Sequence, residues 1–216
     1  MNRLTIIILL LLSTVVHAEW IDVPTVHDSG HGGVFGEVQD RLQGLSPYRT
    51  YRFDVWCHED THRLNNKIHI DGRGMYLPGG RALVVPSAGL TIRQVRDVIP
   101  RRYRQTNVYR LYCLNITPPN AVLVGVSFPS TEGDGTLEGN PALTLFGELS
   151  AYTTEAVASW ERGQDPRKAM ADASWLSFYC AVVALHLREQ GYSHWEELHD
   201  FSVQSYAHLK QLRSQL

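Results

Sequence analysis

The stretch that decides the fold reads SPYRTYRFDVWCHEDTHRLNNKI and spans residues 46–68. Its opening Ser-Pro pair is typical of the start of a helix. Phe53, Trp56 and Leu64 follow at a spacing that gives a helix one inward apolar face. The pattern therefore predicts a helix over residues 48–68, ended by the glycine-rich DGRG sequence that comes next.

Residues 58–62 of this helix read His-Glu-Asp-Thr-His, which is an H-E-x-x-H motif. Positions four apart lie on nearly the same side of a helix, about 6 Å apart along its axis, so His58 and His62 can present two imidazoles to one ion. Glu59 lies on a neighbouring azimuth, where it can take a proton from metal-bound water instead of binding the metal. The motif predicts a zinc site with His58 and His62 as ligands and Glu59 as the general base.

A catalytic zinc site needs a third protein ligand and an open fourth position. The metzincin pattern would place glycine and histidine three and six residues after His62, where this chain has Asn65 and Ile68. His69 is displaced by one position and, on a continuing helix, would lie ~10 Å along the axis from His62, too far for shared coordination. The alternative that remains is a carboxylate from a second helix.

Glu148 is the predicted third ligand. It stands in FGELSAY, an otherwise apolar stretch of a predicted helix, where an ionised carboxylate is costly unless it is paired or metal-bound. Gly147 and Ala151 would allow another helix to approach closely, and Tyr152 could orient the carboxylate or donate to a developing oxyanion. An ion pair between Glu148 and an arginine is the structural alternative. Glu155, two turns further on, is the second candidate ligand.

The stretch WCHEDTHRLN, with GELSAY downstream, resembles the zincin metallopeptidases of the gluzincin type. More loosely, residues 48–156 are similar to exported bacterial proteins with an H-E-x-T-H motif. The resemblance implies that His58, His62 and Glu148 bind zinc, and it implies that Glu59 is the general base. The spacing departs from that family, because 86 positions (148 minus 62) separate the second histidine from the glutamate, more than the usual gluzincin insertion.

The remaining segments predict an α+β class, as a mostly helical, single zincin-like domain with a small inserted β-hairpin or sheet. Residues 75–85 read as this hairpin, and its edge strand could bind an extended substrate by strand addition. Asn140-Pro141, Asp165-Pro166 and Ser193 are start signals for three C-terminal helices. The other expectations are an extended lead-in (21–33), short helices (35–42 and from Thr91), a buried strand (121–128) and a glycine-rich loop (130–139).

The first 18 residues have the pattern of a signal peptide: a short positive start, an apolar run over residues 4–12 and a small–x–small ending at Val16-His17-Ala18. We expect cleavage before Glu19, an exported chain that is secreted or periplasmic, and one domain over residues 19–216. Because no later apolar stretch reaches the ~18 residues of a membrane span, no membrane attachment is expected after cleavage.

Charge and cysteine content restrict the partners. The 20 basic and 22 acidic residues nearly balance, without a Lys/Arg block, which argues against nucleic acid and anionic membranes. The expected partner is a peptide or protein substrate, and the sequence indicates no oligomeric state. Three cysteines in an exported chain suggest one disulfide and one free thiol. We favour Cys113–Cys180, because Cys57 precedes the motif on a helix expected to be deeply buried.

Two functions are compatible with these residues. A zinc-dependent hydrolase of peptide or amide bonds would use Glu59 as the base and Tyr152 as an oxyanion donor. A non-catalytic, zinc-bearing binding or inhibitor protein would retain the metal for stability alone. A purely structural zinc site is closed by a fourth protein ligand and needs no base, so the glutamate inside the motif favours the enzyme.

Overall fold

The structure is a computed structural model that describes residues 18–68, 72–114 and 140–216. Within these residues a small three-stranded antiparallel sheet accompanies six α-helices, which confirms the predicted, mostly helical α+β class. A π-helix (Tyr109–Cys113) follows two short 3-10 turns after α3. The elements in chain order are β1 (Glu19–Asp22), α1 (Gly33–Arg41), α2 (Phe53–Ile68), β2 (Gly72–Leu77), β3 (Arg81–Pro86), α3 (Ile92–Val95), α4 (Thr144–Glu161), α5 (Arg167–Glu189) and α6 (Trp195–Arg213).

The sheet has the order β1-β3-β2, so that β3 lies at its centre. Leu83 of β3 faces Trp20 of β1 on one side and Met75 of β2 on the other. The β2-β3 hairpin confirms the prediction. The strand β1 was not predicted: it overlaps only the first two residues of the expected extended lead-in (21–33), and it becomes a strand by pairing with a partner some 60 positions away in the sequence.

The helix α2 begins at Phe53, five residues later than predicted. Residues 48–51 form a turn, and Arg52 accepts the first helical hydrogen bond, from the amide of Trp56. The Ser46 hydroxyl does not cap this helix: it accepts from the amide of Tyr48 at 3.0 Å and is itself a donor to another side chain. A polar contact elsewhere in the fold has thus overridden the local start signal.

The helix α4 begins at Thr144 and not at Pro141 as predicted. Residues 140–142 instead extend along residues 90–92: the Ile92 amide donates to the Asn140 carbonyl, and the Ala142 amide donates to the Leu90 carbonyl, both at 2.8 Å. The extended pairing uses the backbone groups that an N-cap would have used. The starts of α5 and α6 differ from their predicted positions by only one or two residues.

The main core is enclosed by α4, α5, α6 and one face of the β2-β3 hairpin. By length and composition alone, α5 is apolar enough to cross a membrane, which the sequence analysis did not expect of any segment after the leader. Half of its most apolar window is buried inside the protein. The buried side of α5 includes Ala173, Leu176, Val183 and Leu187, which belong to the core shared with α4 and α6.

All three cysteines are free and buried, so the predicted Cys113–Cys180 disulfide is wrong for this structure. Burial raises the pKa of the Cys180 thiol well above its ordinary value, and burial raises that of Cys113 to about 12. Both thiols therefore remain protonated and pack as small apolar groups in the main core.

The predicted signal peptide up to residue 17, the strand over 121–128, the loop over 130–139 and His69 lie outside the described residues.

Candidate metal centre

The two motif histidines meet on the face of α2 that packs against α4. Their Nε2 atoms are 3.1 Å apart. Glu148 enters from α4, and its Oε2 atom lies 3.5 Å from the Nε2 atom of each histidine. The structure therefore brings together His58, His62 and Glu148, although the glutamate is 86 residues (148 minus 62) from the second histidine.

This triangle fits a metal ion. Zinc with tetrahedral bonds of about 2.0–2.1 Å places neighbouring ligand atoms about 3.4 Å apart, and the three separations here lie close to that value. The Oε2 atom of Glu148 is buried, in a residue only 4% exposed, and it has no hydrogen-bond partner among the described residues. An orphaned buried carboxylate oxygen between two imidazole nitrogens is explained by a cation at that point. His58, His62 and Glu148 could thus hold a metal ion.

The second candidate ligand, Glu155, has a different position. Its Oε2 atom lies 3.0 Å from Nδ1 of His58, on the ring nitrogen that faces away from the triangle. A carboxylate that accepts from Nδ1–H leaves the lone pair of Nε2 free for a metal, and it also fixes the orientation of the ring. Glu155 is therefore an outer partner of His58 and not a member of the ligand triangle.

The two carboxylates also change the proton affinity of the site. Burial alone would lower the pKa of His58, but contacts with Glu148 and Glu155 raise it to about 10. Burial would raise the pKa of Glu148, and this effect is outweighed by His62 and His58, which hold its pKa well below the ordinary value. In the metal-free protein the site thus resembles a charged cluster, from which a metal must displace a proton.

Tyr152 contacts the site through its ring and its hydroxyl. The ring packs edge-on against His58 with 4.4 Å between centroids, and the hydroxyl lies 2.8 Å from that of Tyr112. Tyr112 belongs to the π-helix. The pairing of two tyrosines 40 positions apart has no signal in the local pattern. The role of Tyr152 as an oxyanion donor stays a prediction.

Glu59 is half-buried on α2, next to His58 in the chain. Burial, followed by the charge of Glu59, raises the pKa of Tyr48, which places this carboxylate near the turn that precedes the helix. Among the described residues, no hydrogen bond involves the carboxylate of Glu59. Its predicted role as general base therefore stays a prediction, with the side chain uncommitted to the fold.

The opposite face of α2 carries a polar anchor that the sequence analysis missed. Asp60 is fully buried, and its carboxylate accepts hydrogen bonds from Gln39 and Trp56 at 2.7 Å, from Ser46 at 2.8 Å and from Arg63 at 2.6 Å. These donors come from α1, from the loop before α2 and from α2 itself. The anchor fixes the rotation of α2, and with it the direction of the two histidines.

A second anchor joins α2 and α4 through β2. The Asn65 side chain donates to the Ser150 hydroxyl at 3.1 Å and accepts from the Tyr76 amide at 2.8 Å, while Ser150 donates to the Tyr76 carbonyl at 2.6 Å. Asn65 is therefore a buried polar residue whose side chain is held by the fold. At Tyr76 the backbone groups on the outer edge of β2 are already bound to these two side chains. An extended substrate therefore could not pair with β2 at this point, contrary to the predicted strand addition.

The close approach of the two helices also has another cause than predicted. A Cβ atom on Gly147 would meet no atom within 4 Å, so this glycine is not required for the contact. Ala151 is completely buried, and the hydrogen bonds of Ser150 to Asn65 and Tyr76 lie at the crossing itself. Small and polar residues on the Ser150 side of α4, and not Gly147, bring Glu148 within reach of α2.

A cleft of about 380 Å³ adjoins the outer side of the site. Glu155, which contacts His58, is one of its walls, and the others come from the start of α2 and the turn between α4 and α5. Most of its charged residues form ion pairs: Arg52 pairs with Asp54 inside the cleft, and Lys168 pairs with Asp172 outside its lining at 3.2 Å. The cleft is thus a mixed-charge depression that reaches the site through Glu155 and is not lined by the three candidate ligands.

No protein-family model, no curated protein and no solved structure matches this chain. The arrangement of the site must therefore carry the functional argument by itself. Its central feature is a His-His-Glu triangle built from two helices, with Glu59 next to His58 in the chain and the carboxylate of Glu155 behind the His58 ring. His62 is the most exposed of the three candidate ligands, with 23% of its side chain accessible, against 12% for His58 and 5% for Glu148.

Proposed function

We propose that this chain is a zinc-dependent hydrolase of peptide or other amide bonds that acts outside the cytoplasm. The observation that carries the proposal is the convergence of His58, His62 and Glu148 on one point. The two histidines belong to an H-E-x-x-H motif whose glutamate, Glu59, makes no side-chain hydrogen bond among the described residues. The signal-peptide pattern of the first 18 residues supports the location.

His58, His62 and Glu148 would hold the zinc ion, and three protein ligands leave a fourth position open for water or substrate. When bound, zinc supplies a polarised substrate carbonyl and a water whose pKa is lowered to about 7. The protein contributes orientation: Glu155 holds the His58 ring through Nδ1, and the Asp60 anchor sets the rotation of the helix.

Glu59 transfers a proton from the attacking water to the leaving amine in the proposed reaction. As a carboxylate beside His58, it takes a proton from the attacking water and then delivers it to the nitrogen of the leaving amine. A general base must lie next to the metal without binding it, and the position one residue after the first histidine provides this. A zinc site that served stability alone would need no such group, which is why the hydrolase is preferred to a zinc-bearing binding or inhibitor protein.

Substitution of Glu59 tests the proposal. Glu59→Gln should retain zinc and the melting temperature of the wild type but lose hydrolysis by about 10²-fold or more, since one positioned base contributes about 10²–10⁴-fold. His58→Ala should instead lose the metal and lower the melting temperature, because a ligand links α2 to α4. Zinc content is measured by atomic absorption, and hydrolysis with a broad library of fluorescence-quenched peptides.

The wild-type protein separates the remaining outcomes. If it is purified without stoichiometric metal, and a chelator leaves its melting temperature unchanged, the zinc site is wrong. If it carries zinc but cleaves no member of the library, the binding or inhibitor protein is favoured over the hydrolase. Equal hydrolysis by the wild type and Glu59→Gln would contradict the mechanism while leaving the metal site intact.

A further inference from the structure

The helix α5 has a second apolar face, opposite the one that packs in the main core. Trp175, Phe178, Val182 and Leu185 follow one another at intervals of three or four residues, and these four side chains, the outer stripe, line one side of the helix. Trp175 is 37% exposed and Leu185 is 38% exposed. Because a surface helix ordinarily carries polar residues opposite its core face, the outer stripe is apolar surface that calls for a partner.

Tyr103 extends the outer stripe and links it to an arginine. Its ring centroid lies 4.8 Å from that of Phe178 and 6.1 Å from that of Trp175. The guanidinium of Arg102 lies over the Tyr103 ring, 4.6 Å from its centroid. The hydroxyl of Tyr179, on α5, donates to the Tyr103 carbonyl at 2.7 Å, which fixes this turn against the helix. We call this continuous surface the basic-aromatic patch, and it consists of the outer stripe, Tyr103, Arg102 and the exposed Arg101.

The patch lies in the most basic part of the chain. Residues 93–110 contain six arginines and a single acidic residue, Asp97, whose carboxylate pairs with Arg104 at 2.9 Å. The overall balance of charges, which argues against an anionic membrane as a partner, therefore conceals a local excess of positive charge. This excess lies directly beside apolar surface.

The combination of side chains is typical of contact with a membrane surface. Tryptophan and tyrosine are enriched where a bilayer meets water, and apolar side chains next to them enter the boundary between headgroups and acyl chains. Arginines near that boundary are attracted to anionic lipids. A second copy of the chain, bound about a two-fold axis, would need a self-complementary surface, and no residue of the patch is acidic. The charge of the patch therefore favours a lipid surface over a second copy.

We propose that the basic-aromatic patch docks the folded protein on an anionic lipid surface. The outer stripe and Tyr103 would enter the headgroup boundary, and Arg101 and Arg102 would contact lipid phosphates. The helix α5 would lie along the surface and not cross the bilayer, because its other face belongs to the core that it shares with α4 and α6. This contact does not depend on the metal centre.

The experiment uses lipid vesicles as the probe and the processed chain, purified after export so that the apolar leader is absent. Co-sedimentation compares vesicles of pure phosphatidylcholine with vesicles that contain about 30 mol% phosphatidylglycerol. The wild type should bind the anionic vesicles about thirtyfold more tightly, since each of the two arginines contributes about fivefold near an anionic surface. Added salt should weaken this binding, because exposed charges are screened.

The first variant removes the charge of the patch. Arg101→Gln together with Arg102→Gln should weaken binding to the anionic vesicles about thirtyfold. Arg49→Gln together with Lys67→Gln is the matched control, because it removes the same charge from two exposed residues, one before α2 and one near its end. The control should stay within about twofold of the wild type.

The second variant removes apolar surface without changing the charge. Trp175→Ser should weaken binding about tenfold, because the exposed third of the indole no longer enters the lipid. Trp160→Ser is the control: Trp160 is 36% exposed on α4, outside the patch, and its loss should change the affinity less than about twofold. Brominated lipids should quench the tryptophan fluorescence of Trp160→Ser but have little effect on that of Trp175→Ser.

Three results would overturn the inference: equal binding of the wild type to both kinds of vesicle, equal affinities of the two arginine variants, or equal affinities of Trp175→Ser and Trp160→Ser. A wild type that is dimeric in sedimentation velocity without vesicles, and monomeric as Trp175→Ser, would assign the patch to a second copy and also overturn it. Should Trp175→Ser not fold, as judged by circular dichroism, Leu185→Ser decides: weaker binding supports the lipid contact, and unchanged binding contradicts it. None of these results bears on zinc content or hydrolysis, so failure of this inference is distinct from failure of the proposed function.

Discussion

Asp60 and Glu148 are both buried carboxylates beside the same helix, yet their surroundings are opposite. Asp60 accepts hydrogen bonds from four side chains and has no exposed surface. Within the described part of the chain, no group donates a hydrogen bond to Oε2 of Glu148, although two imidazole nitrogens lie 3.5 Å away. A buried carboxylate is costly in both places, but Asp60 is compensated by four hydrogen bonds, whereas Glu148 is compensated only by the charges of His62 and His58.

The difference separates a residue that serves the fold from one that serves a ligand. Every acceptor position of Asp60 is used, so this carboxylate cannot bind anything further. Glu148 retains an unused oxygen at the point where two histidines meet, and its burial becomes favourable when a cation occupies that point. Substitution of Asp60 should therefore change mainly the free energy of unfolding, and substitution of Glu148 should change mainly the affinity for the metal.

Asp60→Ala should have the largest effect on stability. It leaves Arg63, Trp56 and two further donors unpaired around a cavity, and breaking a buried charged network costs about 3–5 kcal/mol in the free energy of unfolding. Asp54→Ala is the control, because Asp54 lies on the same helix but pairs with the exposed Arg52. That change should cost below about 1 kcal/mol. Urea unfolding of the chelated proteins measures both, and equal losses would remove the distinction between the two carboxylates.

Glu148→Gln should instead affect the stabilisation of the folded protein by zinc. At a zinc concentration of 100 times the wild-type dissociation constant, the metal stabilises the folded protein by about 2.7 kcal/mol. This zinc-dependent increase should disappear in Glu148→Gln, because an amide is a poor zinc ligand. The measurement compares urea unfolding with zinc and with chelator. If the variant retained the whole zinc-dependent increase, Glu148 would not be a ligand.

The fold was predictable where hydrophobic periodicity and turn residues act locally. The hairpin and the helices α1, α2, α5 and α6 follow such patterns, and their bounds differ by few residues except at the start of α2. The errors occur where a distant partner overrides the local signal. Pro141 forms an isolated β-bridge with Thr91 instead of starting α4. Residues 19–22 form the strand β1 only because they pair with β3.

The site was predictable for a similar reason. His58 and His62 belong to one helix, and an acidic residue in an apolar stretch marked Glu148 as a group in need of a partner. The contacts that hold the site were not predictable, because they join positions far apart: Glu155 to His58 across 97 residues, and Tyr112 to Tyr152 across 40. No periodicity within one segment reports which side chain of another segment will face it.

Glu155 allows the most specific test of the difference between stability and metal affinity, because its carboxylate would act on the metal only through His58. Glu155→Gln should weaken zinc binding about tenfold and leave the unfolding of the chelated protein nearly unchanged. The glutamine oxygen can still accept from Nδ1–H, so the ring keeps its orientation and only the charge behind it is lost. Glu161→Gln is the matched control: Glu161 lies on the same helix and accepts from the Val34 amide at 2.7 Å, away from the site. Zinc competition should separate the two variants, and an equal affinity for both would show that the carboxylate behind His58 serves the packing of α2 against α4 and not the metal.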